Sequence, residues 1–148
     1  MKTILAAAAI LISASAAGAA DLVTKPSDNT VENTVAKLTA AIEKAGAKVF
    51  AVVDHAAGAK KVGTDLPPTQ MVMFGNPKIG TPAIQASPTM GLDLPLRVVV
   101  YEDSDGAVMM AYHDPADVAA QHGVPEGAPV IGKMQGALDK LTSAAGTQ

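Results

Sequence analysis

Apolar residues recur along this chain in two rhythms. Val31, Val35, Leu38 and Ile42 fall at helical spacing, so residues 28–45 are expected to form an amphipathic helix. Asn29 with Glu32 three residues on resembles a capping box, and Gly46 supplies a stop. The same spacing returns after Pro129, where Val130, Ile131, Met134, Leu138 and Leu141 predict a last helix. Between these helices the rhythm shortens to two. Residues 47–54 (AKVFAVVD), 69–74, 94–101 and 107–112 read as strands, and Leu22-Val23 as a short first one. In the 47–54 strand, Val49, Ala51 and Val53 are expected on one face, with Phe50 and Val52 on the other. Asp103-Ser104-Asp105-Gly106 joins the last two strands as a hairpin, the glycine supplying a left-handed residue. Residues 55–63 read as one or two helical turns. Residues 76–95 form a long crossover with short helical pieces, one of them starting at Ser87-Pro88. Asp114-Pro115 opens a short helix ending at His122-Gly123.

The element order is β-α-β-β, crossover, β-β-α. Hairpins and meanders in that order predict an α+β domain, a mostly antiparallel sheet with helices packed on one face. The strands, however, are apolar on both sides. Leu96, Val98 and Val100 oppose Val99 and Tyr101, Met71 and Met73 oppose Val72 and Phe74, and Met109 opposes Val108 and Met110. A half-solvated antiparallel sheet should alternate apolar and polar. The second face is therefore expected to meet another subunit, the crossover or a ligand.

The chain has 148 residues and a formal charge of −3. Lys2, the alanine-rich apolar run from Thr3 to Ala17 and the small residues Ala17-Gly18-Ala19 predict a signal peptide over residues 1–19. Residues 20–148 then form one periplasmic or secreted domain. No membrane association is expected after cleavage, since no basic amphipathic stretch follows. A mildly acidic domain with scattered lysines argues against a nucleic-acid partner. The absence of cysteine excludes disulfides, thiol catalysis, zinc-thiolate sites and covalent haem.

Three stretches, "VVDHAAGAKKVG", "MVMFGNPKIGTPAIQASPTMGLDLPLRVVVYED" and "DGAVMMAYHDP", occur in this order. They resemble the domain-of-unknown-function 302 family from about Val31 to His122, including FGNP at Phe74–Pro77 and LDLP at Leu92–Pro95. The resemblance implies a compact α+β domain, often exported in bacteria and able to dimerise. It carries no reaction, cofactor or substrate.

The polar residues near these motifs have both functional and structural readings. In FGNP, Gly75 is expected to leave the strand in a conformation barred to other residues, and Pro77 to hold Asn76 extended. Asn76 and Lys78 then contact a ligand, or Asn76 simply bonds nearby backbone. His55 has a ring suited to proton transfer, with Asp93 as partner; alternatively it is a strand-end residue beside a capping Asp54. Arg97, the sole arginine, grips an anionic ligand or pairs with Asp93. The methionines with His113 and His122 suggest Cu(I), yet Met also fills cores and the histidines lack a ligand spacing. No metal site or cofactor is assigned. The leading reading is a homodimeric domain that binds a small molecule or protein partner in an apolar pocket containing Arg97. Asn76 and Lys78 form one wall, and His55, Asp93 and Tyr101 lie nearby. The alternatives are a hydrolase or isomerase using His55 and Asp93, and a copper-binding protein.

Overall fold

The computed structural model describes residues 22–125 and 127–148, so the signal-peptide segment 1–19 lies outside the described residues. The first strand does not stop after two residues but runs from Leu22 to Ser27 as β1. It pairs only with the last strand, and an edge position tolerates Pro26, which has no N–H to donate. The other strands are β2 (Lys48–Asp54), β3 (Thr69–Gly75), β4 (Leu96–Glu102) and β5 (Val108–His113). They form one sheet in the order β1-β5-β4-β3-β2, with every neighbouring pair antiparallel. The helices are α1 (Val31–Lys44), α2 (His55–Lys61), α3 (Pro77–Ala86), α4 (Pro115–Gln121) and α5 (Pro129–Gly146), with a 3₁₀ helix at Pro88–Leu92. The expected α+β architecture is the one observed.

Two local details differ from the expectation. Helix α1 is capped by Thr30, whose Oγ1 accepts from the Asn33 amide at 3.2 Å. Asn29 is drawn away by the far end of the chain. Its Nδ2 donates to the carbonyls of Ala145 and Thr147, and Lys37 also donates to the Thr147 carbonyl. These bonds satisfy carbonyls that α5 leaves free at its C-terminus. In β2 the ladder shifts between Val49 and Ala51. Val49 still sits opposite buried Phe74, but Ala51 and Val53 sit opposite Met73 and Met71. Residues directly opposite share a face, so the bulge moves Ala51 and Val53 to the side away from Val49.

The covered face carries the core. Val72, Phe74, Val98, Val100 and Met110 are at most 2% exposed, packed under Leu38 and Ile42 of α1 and Leu138 and Ala145 of α5. A second cluster joins Ala83, Met90, Ala119 and Val124 to Ile131 and Met134 of α5. The predicted stripe on α5 thus divides between two cores. The crossover helix α3 and helix α4 lean on α5. On the other face, Met71, Met73, Val99, Tyr101 and Met109 remain only half-buried.

The closest approach involving a glycine is at the end of α5. A Cβ on Gly146 would lie 2.8 Å from the Pro26 carbonyl oxygen and 3.1 Å from the Met110 methyl. Alanine favours a helix over glycine by about 1 kcal/mol, but overpacking a fixed backbone costs about 1–3 kcal/mol. Gly146→Ala is therefore expected to lower stability in urea unfolding, whereas a gain would show that β1 and α5 have room to part.

Candidate functional site

Strand β3 runs into α3 through the FGNP motif. Asn76 keeps strand-like dihedrals (φ −132°, ψ 120°) and is the N-cap of α3, followed by Pro77 in the first turn. Its Oδ1 accepts from the Lys78 amide at 3.0 Å, and its Nδ2 donates to the Gly46 carbonyl at 3.1 Å. The amide is thereby spent on the fold, holding the start of α3 to the loop between α1 and β2. Gly75 does not take a left-handed conformation, contrary to the expectation from the motif. It lies beside the Phe50 ring and Pro95, where an added Cβ would stand 3.4 and 3.6 Å away.

This turn forms one wall of an apolar groove of about 620 Å³. Phe50 and Met73 line it from the sheet, Ile79 and Ile84 from α3, and Met134 and Leu141 from α5. Among its lining residues only Asn76 and Thr81 have polar side chains; none is charged. Phe50 and Ile84 are 52% and 39% exposed, so both present apolar side chains at the groove surface. At the other end of the sheet lies a cleft of about 780 Å³. Its walls carry Asp28, Glu32, Asp54, Asp65 and Glu102 against Lys60 among apolar residues such as Val31, Leu66 and Val108, so unlike the groove it mixes charge with its apolar lining.

The second polar constellation surrounds Asp93. Arg97 donates from a terminal guanidinium nitrogen to Asp93 Oδ1 at 2.8 Å, so the expected pair forms. The histidine beside Asp93 is His122, at the end of α4, and not His55. His122 Nε2 lies 2.7 Å from Asp93 Oδ2, and Nδ1 lies 2.9 Å from Thr89 Oγ1, itself 3.0 Å from Ser87 Oγ. An ionised carboxylate only accepts, so Nε2 carries the proton. In the neutral ring Nδ1 then accepts from the Thr89 hydroxyl. The His122 hydrogen bond is the main influence holding the Asp93 carboxyl below its usual value near 3.8. Partial burial opposes the shift, and the Arg97 charge adds to it. Hydroxyl, imidazole and carboxylate stand in the order that polarises a nucleophile. Yet neither Thr89 nor His122 lines the groove, the cleft or the small cavity of about 40 Å³ between Asp93, Arg97 and His113.

The structure thus separates the six sequence candidates. Asn76 lines the groove, and Lys78 lies between two lining residues, Pro77 and Ile79, without lining it itself. Asp93 and Arg97 border the small cavity, which shares Leu94, Leu96 and Met134 with the groove. Tyr101 stands on the uncovered face opposite Thr69, four residues along β4 from Arg97, roughly 13 Å at strand rise. His55 is exposed at the start of α2, after a β2 end that pairs with Gln70, whereas β4 begins opposite Phe74. The His55–Asp93 dyad is therefore not formed. Asp54 caps α2 by accepting from the Ala57 amide at 2.8 Å. Met71, Met73 and Met109 share the uncovered face while Met110 turns into the core, so these four do not gather into one site, and the methionines that share the small cavity with His113 are Met90 and Met134. Among the described residues, no group of three or more His, Asp or Glu is placed to hold a metal. The sequence pointed to His122 only with the methionines and to Ser87 only as a helix start; it gave no sign of Thr89 or of the His122 contact with Asp93, which depends on docking α4 beside the crossover.

A carboxyl with a depressed folded pKa stabilises above its unfolded pKa, and that gain is lost as pH falls through the folded value. Asp93→Asn is expected to lower the urea midpoint relative to the parent at about pH 5, with the gap closing only once the pH falls below the usual carboxylate value and the parent carboxyl protonates. A gap unchanged by acid would show that the Asp93 charge does not support the fold.

Comparison with known proteins places this geometry. A crystal structure of an uncharacterized conserved DUF302 protein from Bacillus stearothermophilus superposes with a TM-score of 0.68. That alignment covers 84% of this chain and 94% of that one at 17% identity, so it bears on the fold alone. Residues of this chain are 45% identical over 101 positions to Fluoride-specific ion channel FluC 1 of Brucella suis and to FluC 2 of Brucella melitensis. The match takes in 68% of this chain but only 40% and 37% of those relatives. The family model described as Domain of unknown function DUF302 matches residues 23–141, and with the FGNP turn, the antiparallel sheet and its helical layer in place, the chain belongs to that family.

Proposed function

We propose that this chain is an exported binding domain whose groove beside the FGNP turn takes a small molecule with a largely apolar body. The groove itself carries the proposal. Its volume of about 620 Å³ falls within the roughly 300–1,000 Å³ of small-molecule sites, and its walls are apolar with few polar groups. A hydrolase or isomerase reading has less support, since the dyad it needs is not formed and the His122 relay borders no sizeable space. The channel relatives extend well beyond the shared region. No helix among the described residues here is long and apolar enough to cross a membrane. The binding role is accordingly assigned to the shared domain, and permeation is not.

The domain works as a homodimer joined through the uncovered sheet face. Val99, flanked in register by Met71 and Ala111, lies near the centre of that face, and a two-fold axis there would bury Met71 and Met109 while leaving Met73 to the groove.

Two measurements test these proposals. Native mass spectrometry of protein purified from the periplasm should show a co-purifying organic mass. Ile84→Glu, which puts a charge on an exposed wall of the groove, should remove it. Retention by the folded variant would place the ligand elsewhere. Gel filtration with light scattering should give a dimer for the parent and a monomer for Val99→Lys; a monomeric parent ends the dimer proposal.

A further inference from the structure

The rim of the groove differs in charge from its interior. The protein is acidic overall, with a net charge of −3, and the groove lining contains no Asp or Glu. Three cations neighbour its lining residues without lining it themselves. Lys48 pairs with Gly75, and its Nζ stands 5.7 Å from the centroid of the Phe50 ring, so an ammonium hangs beside a lining aromatic. Lys78 sits between the lining residues Pro77 and Ile79 and is exposed. Arg97 is the cross-strand partner of Met73, another lining residue, and it is 40% exposed. Directly opposite residues bring their Cβ atoms within about 4.5–5.5 Å. Arg97 spends one terminal nitrogen on Asp93, and a guanidinium has five N–H donors. Asp93 is itself shared between Arg97 and His122, so its charge is largely answered before any ligand arrives.

From this arrangement we infer that the groove's ligand is an anionic amphiphile: a single alkyl chain lying against Phe50, Met73, Ile84 and Met134, with its head group at the cationic rim. The inference rests on the groove being the binding site and adds the charge class of the ligand. An apolar body gains from burial in proportion to its area. A head group left at the mouth keeps its water while meeting positive potential, so it avoids the cost of burying an ion. A cationic head would meet the like charges of Lys48 and Lys78 there, while Arg97 offers its remaining N–H donors with its charge answered by Asp93. Carboxylate and phosphate heads share the required chemistry, and the arms of the test distinguish them.

The test is calorimetric titration of the full domain with four dodecyl compounds, each below its micellar concentration: dodecanoate, dodecyl phosphate, dodecanol and dodecyltrimethylammonium. The parent should bind dodecanoate or dodecyl phosphate at least about tenfold more tightly than dodecanol, the tighter of the two naming the head group, and dodecyltrimethylammonium more weakly still. The double variant Lys48→Glu/Lys78→Glu, altered only at exposed positions, should lose that preference while still binding dodecanol. Ile84→Glu should weaken binding of all four compounds. Equal affinity for the alcohol and the acid, or an acid preference that survives the charge reversal, would overturn the anionic assignment and leave the groove as a site for neutral ligands. Failure of all four to bind the parent would overturn the groove reading as well.

Discussion

The structure depends on one helix serving two cores. Helix α5 buries Leu138, Leu141 and Ala145 against the sheet, and Ile131 and Met134 against α3, α4 and the 3₁₀ turn. Removing a buried leucine of this kind costs about 2–5 kcal/mol, so neither commitment is easily given up. The crossover must leave the sheet at Gly75 and still reach α5. The groove lies between these commitments, lined from α5 by Met134, Ala137 and Leu141. It follows from how the layers meet.

The same economy explains the polar residues. Asn76 looks like a ligand contact in the sequence, yet both ends of its amide are spent holding the α3 start to Gly46. It shapes the groove as a structural cap and leaves recognition to the side chains around it. Around Asp93, the bonds from Arg97 and His122 join β4, the crossover and the end of α4. Asp93 and Arg97 line the small cavity, and the His122 bond helps hold the Asp93 carboxylate charged. This relay is part of the groove's frame, with Arg97 its one member on the groove's rim.

Much of this was legible in the chain because it is local. The spacing of Leu138 and Leu141, the Asp114-Pro115 start, the left-handed Gly106 and the two-sided apolar strands depend on near neighbours, and all appear in the fold. Non-local effects were hidden. Nothing near Asn29 shows that the last turn of α5 will recruit its amide and leave Thr30 as the cap. Nothing near Val49 shows the bulge that turns Ala51 to the other face. Asp93 and His122 are separated by 29 positions, and Arg97 at i+4 was therefore the easier partner to see. The cationic rim was invisible for the same reason, since Lys48, Lys78 and Arg97 come from three separate elements.

The central claim is that the space between the two cores, at the Gly75 end of the sheet, is where this domain meets its ligand. Amide-resolved NMR during titration with dodecanoate tests it most directly. Saturable shifts are expected at Phe50, Gly75, Gly80, Ile84 and Ala137 and their neighbours, and nowhere else. Shifts centred on the acidic cleft near Asp54 and Asp65, or spread evenly over the surface, would contradict it.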